Sequence, residues 1–155
     1  MSIEIRKGIK ADIPFALNLV KELAAYEKAP DEVEVTVEEM TEWGFGNDKQ
    51  FDFFVALESN VIVGLALYYY KYSTWKGKCL FLEDIIVTES QRGKGLGKLL
   101  FDKVVEVSKE MKVRRMEWQV LDWNTPAIEF YKKYNATLDG EWVNCKLTNH
   151  QLNNL

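Results

Sequence analysis

The sequence predicts an α+β protein, built on a mixed and mostly antiparallel central sheet that is flanked by helices. An amphipathic helical pattern covers residues 13–24, with apolar side chains spaced three and four positions apart. Strand-like runs follow closely between residues 51 and 87, which indicates an antiparallel meander. A helix, a strand and a second helix come next, as in a βαβ unit. With 155 residues, the chain is expected to form one domain over residues 1–155.

The first elements are a short strand and a helix. Ile3 and Ile5 alternate with charged residues, which is typical of a half-buried strand. Asp12 is expected to cap the following helix, whose first turn contains Pro14 and which should end before Pro30.

A capping box opens the second helix, and a tight turn separates the first two strands of the meander. Thr36 and Glu39 have the spacing of that box, and the glycines within residues 44–46 should stop the helix. The runs "FDFFVALE" and "VIVGLALYYYKY" are two strands, and Ser59-Asn60 between them predicts a hairpin turn.

The second half of the chain alternates strands and helices. The third strand of the meander is "KCLFLEDIIV", and a long amphipathic helix follows over about Leu96–Met111. "RRMEWQVL" is the next strand, and "NTPAIEFYKKY" is a helix with Asn124 or Thr125 as its cap. A final strand or hairpin is predicted for Asp139–Leu147.

Composition and charge exclude several classes of function. The 20 basic and 24 acidic residues give a net charge of −4, which argues against a nucleic-acid binder. We find no signal peptide and no apolar run long enough to cross a bilayer, so we expect a cytoplasmic protein without a membrane partner. Cys79 and Cys145 stand apart, so a disulfide is disfavoured. His150 is the only histidine, and no metal site is expected.

The basic, glycine-rich stretch "ESQRGKGLGKLLF" predicts an anion-binding turn between a strand and a helix. It is not a P-loop, because Leu99 follows Gly97-Lys98 where a serine or threonine is needed. Its glycines have the spacing G-x-G-x-G, which does not match the G-x-G-x-x-G of dinucleotide sites. By itself the stretch could also be a solvated turn whose lysines only confer solubility.

Two motifs in this order resemble the GNAT acyltransferase superfamily. Arg92–Gly97 has the form Q/R-x-x-G-x-G/A of its acetyl-CoA pyrophosphate loop, and "NTPAIEFYKKYNA" looks like its second hallmark. "YSTWKGK" and "LDWN" are most similar to the thialysine Nε-acetyltransferase type of the diamine acetyltransferase branch. The spermidine/spermine type has an acidic residue where Ser73 stands. The resemblance implies the GNAT acyl-CoA N-acyltransferase fold and acetyl-CoA as cofactor.

The resemblance also implies which residues bind the cofactor and carry the chemistry. Tyr131 is the inferred general acid, although its place in an apolar helical stripe equally fits a core aromatic. Glu83 is the inferred base or ammonium ligand, acting through water, although Glu83 and Asp84 could also be a carboxylate pair at a sheet edge. On a regular strand these two neighbours face opposite sides of the sheet. The implied cofactor-binding residues are Ile85, Ile86, Val87, Arg92, Gly93, Lys94, Gly95, Leu96, Gly97, Lys98, Asn124, Thr125, Pro126 and Ala127.

The acceptor implied by the resemblance is a small cationic amine. Acidic and aromatic side chains suit such a ligand through ion pairs and cation–π contacts, although the tryptophans could equally serve ordinary packing. The family places such sites close to a dimer interface, so a homodimer is implied. Asn135 stands where the family has glycine, and asparagine is the best substitute in a left-handed conformation. The implied substrate-binding residues are Tyr26, Glu27, Trp75, Glu83, Glu117, Trp118 and Gln119, with Trp142 nearby.

The function predicted in this way is acetyl transfer from acetyl-CoA to a primary amine of a small diamine- or lysine-like acceptor. Direct attack in a ternary complex is expected, because no cysteine is placed to carry the acyl group. Polyamine acetylation, acetylation of a protein or antibiotic amine, and an acyl-CoA-sensing module without turnover remain the alternatives.

Overall fold

The computed structural model describes residues 2–155. The chain divides into two compact units, Met1–Gln119 and Val120–Leu155. The first unit contains β1 (Ile3–Lys7), α1 (Ile13–Tyr26), α2 (Val37–Phe45), β2 (Asp52–Glu58), β3 (Val61–Ser73), β4 (Gly77–Val87), α3 (Leu96–Glu110) and β5 (Arg115–Trp118). The second unit contains α4 (Thr125–Lys132) and α5 (Asn149–Asn153). Within residues 2–155, no helix is long and apolar enough to cross a membrane.

The first unit is built on a five-stranded sheet with the strand order β1-β2-β3-β4-β5. Strands β1 to β4 pair antiparallel, whereas β5 runs parallel to β4 and follows it through the crossover helix α3. The predicted hairpin turn between β2 and β3 is confirmed, because φ is +50° at Ser59 and +68° at Asn60. Two positive φ values in a two-residue turn match the twist of the paired strands. The predicted mixed, mostly antiparallel sheet is therefore confirmed.

The main core lies between one face of this sheet and the helices α1 and α2. The apolar side chains of both helices pack there on alternate residues of three adjacent strands. The central members of this core are Ile13, Ala16, Leu17, Met40, Val55, Leu65, Leu67 and Ile86. Helix α3 covers the opposite face, where a Cβ added at Gly64 would lie 3.0 Å from Leu100 Cδ1. Glycine thus allows this helix to approach β3 closely.

The starts of the first two helices differ from each other. Thr36 and Glu39 form the predicted capping box, with Thr36 Oγ1 accepting from the Glu39 amide at 3.1 Å and Glu39 Oε1 accepting from the Thr36 amide at 3.0 Å. Asp12 is the N-cap residue of α1, as predicted, but its side chain makes no capping hydrogen bond to that helix. Its carboxylate accepts from Arg6 Nη1 at 2.7 Å and from the Ile9 amide at 2.9 Å instead. Burial raises the pKa of Asp12, but these donors outweigh it and lower the pKa overall.

The end of the second unit also differs from the prediction. Residues 139–147 form no strand, although their apolar residues resemble those of one. Trp142 and Val143 are 73% and 84% exposed in this segment. An apolar pattern alone does not make a strand, because a strand also needs a hydrogen-bonded backbone partner.

Candidate active site

A β-bulge in β4 lies at the centre of the site. The register with β3 pairs Leu82 with Tyr68 and Asp84 with Leu67, so that Glu83 is the extra residue. A bulge interrupts the strict alternation of side chains along a strand. The expectation that Glu83 and Asp84 face opposite sides of the sheet is therefore wrong.

Three carboxylates influence one another at this bulge. Burial, followed by the charges of Glu83 and Glu27, raises the pKa of Asp84 to about 7. Burial and the charge of Glu83 also raise the pKa of Glu27, which directly follows α1. The nearby negative charge of Glu83 disfavours ionisation of both Asp84 and Glu27. A cation bound among these carboxylates would relieve this repulsion.

Replacing Asp84 by asparagine is expected to raise the free energy of unfolding by roughly 2–4 kcal/mol at pH 8 and by less than half as much at pH 5. The pKa of Asp84 in the folded protein, about 7, lies above the value of an unfolded chain. Its contribution to stability is therefore largest when it is protonated in both states, and it is lost as the pH rises from about 4 to about 7. Urea unfolding at both pH values measures the difference. An equal effect at pH 5 and pH 8 would show that packing, not charge, is responsible.

A tyrosine fixes the orientation of the Glu83 carboxylate. Tyr69 Oη donates to Glu83 Oε1 at 3.1 Å from the neighbouring strand β3. Burial and the charge of Glu83 raise the pKa of Tyr69 to about 12, so its hydroxyl stays protonated near neutral pH. Glu83 is itself exposed, and it can meet a ligand from solvent while Tyr69 holds one of its oxygens.

Two aromatic rings lie next to Glu83 on the same face of the sheet. The rings of Tyr69 and Phe81 lie 5.4 Å apart and are tilted by 30°. Lys71 Nζ lies 5.5 Å from the centre of the Phe81 ring. The sequence predicted no role for these three residues. Tyr69 and Lys71 are two positions apart on β3, and this spacing already indicated that they share a face of the sheet. We call Tyr69 and Phe81 the aromatic platform.

Glu117, one of the predicted acceptor residues, is paired with two cations beside this platform. Its Oε1 lies 3.3 Å from Lys71 Nζ, and its Oε2 accepts from Arg115 Nε at 2.9 Å. Burial opposes ionisation of Glu117, but these two donors lower its pKa overall. Much of its negative charge is therefore already offset within the chain.

The remaining predicted acceptor residues lie in different surroundings. Trp118 packs edge-on against Phe101 of α3, with ring centres 5.2 Å apart, on the face of the sheet opposite to Glu117. Trp75 lies in the turn between β3 and β4 and is 79% exposed. Tyr26 ends α1, with the Arg92 guanidinium 5.3 Å from its ring centre. The last of these residues, Gln119, is exposed at the end of the first unit.

The glycine-rich loop has the backbone of an anion cradle. Gly93 and Gly95 both have φ of +81°, and no atom lies within 4 Å of a Cβ added at either. Gly95 precedes α3, and no side chain caps the first turn of that helix. The first amides of a helix lack partners within the helix and favour a bound anion. This arrangement fits the pyrophosphate of an acyl-CoA.

The basic side chains of this loop are engaged by other groups of the chain. Arg92 Nε donates to the Val87 carbonyl at 2.9 Å, and Lys94 Nζ lies 3.0 Å from Glu58 Oε1. Lys98, on the first turn of α3, pairs with the aspartate one turn further along that helix. The fit to a phosphate group therefore depends on the backbone of the loop.

Replacing Gly95 by alanine is expected to lower the free energy of unfolding by about 1 kcal/mol, because a left-handed φ strains any residue with a Cβ. Gly97 is a matched control, since it lies inside α3 and the nearest atom to an added Cβ is 4.0 Å away. Gly97→Ala should raise the free energy of unfolding by roughly 0.5–1 kcal/mol. Denaturant unfolding of both variants measures this contrast, and equal losses would contradict it.

One edge of β4 is open beside the bulge. The pairing with β5 covers Cys79–Leu82 only and ends at the partnership of Leu82 with Trp118. Within residues 2–119, no strand pairs with Ile85–Val87 on that side. An extended ligand can bind such an edge through backbone hydrogen bonds, as an added strand does. This edge fits the pantetheine arm of an acyl-CoA, as predicted for these residues.

The second unit carries the predicted tyrosine helix. Asn124 caps α4, because its side chain accepts from the Ala127 amide at 3.4 Å; Thr125 and Pro126 form the first turn. Tyr131 is buried, and its ring meets that of Phe130 edge-on at 5.4 Å. The predicted left-handed conformation of Asn135 is confirmed by its φ of +57°.

Comparisons with known proteins show the family of this chain. A model of the acetyltransferase (GNAT) family matches residues 17–136. The thialysine N-epsilon-acetyltransferase of Bos taurus is 37% identical over 142 residues, which cover 86% of this chain and 84% of that protein. The spermidine/spermine N(1)-acetyltransferase-like protein 1 of Homo sapiens is 32% identical over 140 residues, which cover 86% of this chain and 20% of that protein.

This chain is also similar to solved structures, which supports the assignment of its fold. An integron cassette protein from the mobile metagenome of V. cholerae has a TM-score of 0.80 and 23% identity, with 99% of this chain and 97% of that chain covered. The chain belongs to the GNAT family of acetyltransferases. It is an N-acetyltransferase, and the predicted GNAT fold is confirmed.

Proposed function

We propose that this protein transfers an acetyl group from acetyl-CoA to a primary amine of a small diamine- or lysine-like acceptor, with a thialysine-type acceptor favoured. The observation that carries this proposal is the group of Glu27, Glu83 and Asp84 next to the open edge of β4. A cationic amine relieves the repulsion of these carboxylates. GNAT acetyltransferases use acetyl-CoA as donor, and the similarity to thialysine N-epsilon-acetyltransferases supports the choice of acceptor.

Two features of the first unit would hold acetyl-CoA. Backbone groups of Ile85–Val87 would bind the pantetheine arm, and the amides of Arg92–Lys98 would bind the pyrophosphate. The start of α4 at Asn124–Ala127 is assigned by its resemblance to the family motif. When bound, acetyl-CoA supplies the thioester carbonyl that the amine attacks directly in a ternary complex.

Side chains of this protein would accept and donate the protons that move in this reaction. An alkyl ammonium has a pKa of about 10 and must lose a proton before it can attack. Glu83, oriented by Tyr69, would accept that proton through a water molecule. Tyr131 would hold a proton at its hydroxyl for the departing thiol group. One amide of Ile85 or Val87 would donate to the carbonyl oxygen as negative charge develops on it.

The test is an acceptor screen of thialysine, lysine, ornithine, putrescine and spermidine with acetyl-CoA, followed by the release of free thiol. We expect turnover, with thialysine preferred. A strong preference for spermidine would favour polyamine acetylation, to which one relative points, and would overturn the proposed acceptor. A chain whose melting temperature rises with CoA but which acetylates none of these amines would act on another amine or only sense acyl-CoA.

Three expectations stay predictions beside this proposal. They are the single domain over residues 1–155, the homodimer and the cytoplasmic setting. Sedimentation of the full chain measures the second of them directly.

A further inference from the structure

The charged group formed by Lys71, Glu117 and Arg115 has no role in the proposed proton transfers. Its two cations and one carboxylate leave a net positive charge beside the aromatic platform. The side chains of Lys71 and Arg115 are 39% and 38% exposed. A surface ion pair of this kind contributes little to stability. Stability therefore does not explain why this charged group lies next to the acceptor site.

Lys71 is held in position but keeps donors for a ligand. Its ammonium has three donors, and the Glu117 carboxylate at 3.3 Å takes one of them. Phe81 lies under the ammonium, with its ring centre 5.5 Å from Nζ. A cation fixed over an aromatic ring and facing solvent is well placed to bind a second anion.

The two ends of the aromatic platform carry opposite charge. Tyr69 contacts Glu83 at one end, and Lys71 lies over Phe81 at the other. Glu83 lies between the partners of Leu67 and Tyr68, so it is three to four residues from Lys71 along the sheet, which corresponds to about 10–13 Å. An extended lysine that makes one hydrogen bond at each end spans a similar distance. A ligand with an amine at one end and a carboxylate at the other matches this pattern.

We propose that Lys71, oriented by Glu117 and supported by Arg115, binds the α-carboxylate of an amino-acid acceptor whose side-chain amine lies at Glu83. The alkyl chain of the acceptor packs on Tyr69 and Phe81. The enzyme thus selects amino acids with a terminal amine over the corresponding diamines, which have the same amine but no carboxylate. This inference rests on the proposed function and narrows its acceptor class.

The experiment compares kcat/KM for lysine with that for cadaverine, and for ornithine with that for putrescine, in the full chain with acetyl-CoA. Each pair differs only by the carboxylate. The wild type is expected to prefer the amino acid in both pairs. Lys71→Met should reduce this preference at least tenfold, mainly through a higher KM for the amino acid. Lys71→Arg should restore part of it, because the positive charge remains.

Lys78→Met is the matched control. Lys78 lies on β4 with its ammonium 4.4 Å from the centre of the Tyr70 ring, on the opposite face of the sheet. Both lysines cover an aromatic ring, but only Lys71 adjoins the platform. Lys78→Met should therefore leave both preferences as in the wild type, and melting temperatures check that each variant is folded.

Different results overturn different statements. Equal kcat/KM for amino acid and diamine in the wild type, or an unchanged preference in Lys71→Met, overturns the role of Lys71 while the proposed function stands. An equal loss of preference in Lys78→Met also overturns it, since a general loss of charge would then suffice. A wild type that acetylates neither these four amines nor thialysine overturns the proposed function together with this inference.

Discussion

Glu83→Gln is expected to lower kcat/KM for the amine acceptor by about a hundredfold or more, within the range that a positioned general base contributes. Glutamine keeps the size of the side chain and can still accept the hydrogen bond that Tyr69 donates at 3.1 Å. It lacks the negative charge that pairs with the ammonium and accepts its proton. Steady-state kinetics at several acceptor concentrations measure the effect. A fall in kcat indicates the base, whereas a rise in KM alone indicates ammonium binding.

A control variant and a titration test whether the effect of Glu83→Gln is specific to this carboxylate. Glu110→Gln removes a carboxylate at the exposed end of α3 and should leave the kinetics unchanged. The charge of Glu83 also contributes to the raised pKa of Asp84. Glu83→Gln should therefore move the titration of Asp84 to lower pH, which carboxyl NMR signals can follow. Unaltered kcat and KM in Glu83→Gln would refute the assigned role.

Tyr131→Phe is expected to leave CoA binding unchanged and to reduce kcat at least tenfold. Tyr131 is buried on α4 and packs edge-on against Phe130, and phenylalanine keeps this ring contact. The hydroxyl proton proposed for the departing thiol group is lost. Calorimetric titration with CoA and steady-state thiol release measure binding and turnover separately.

Tyr134→Phe is the control for that variant. Tyr134 follows on the same segment, and its ring lies 5.5 Å from that of Phe130. Loss of its hydroxyl should change kcat less than twofold. Similar losses in both variants would point to a general disturbance around α4, and full activity of Tyr131→Phe would exclude its role as the acid.

Local signals in the sequence predicted much of the fold. The turn at Ser59-Asn60 and the capping box at Thr36 depend only on neighbouring residues, so short-range rules were sufficient. The left-handed Asn135 was predicted from the family resemblance instead. Asp12 lies at the predicted N-cap, but its carboxylate accepts from Arg6 and from the Ile9 amide and not from an amide of α1. The capping pattern alone does not reveal these partners.

The candidate site was harder to predict than the fold, because it depends on strand register. The motif resemblance indicated Glu27 and Glu83, but the period-two rule for a strand assumes that residues of neighbouring strands pair one to one. The extra residue in β4 breaks that assumption. Lys71 meets Glu117 across 46 positions of sequence. Spacing along the chain does not reveal such a partner.

The β4 bulge also changes which residues of the strand face the same side of the sheet before and after Glu83. Phe81 and Ile86 are an odd number of positions apart, yet they pair with Tyr69 and Leu65, which are an even number apart on β3. A single strand can therefore bury one of these side chains beneath helices and present the other to a ligand on the same face. Deleting Glu83 would place Phe81 and Ile86 an even number of positions apart, so both would keep their present face on a regular strand without a bulge. Glu83 thus connects the part of β4 that packs in the core, at Ile86, with the part that carries the aromatic platform, at Phe81.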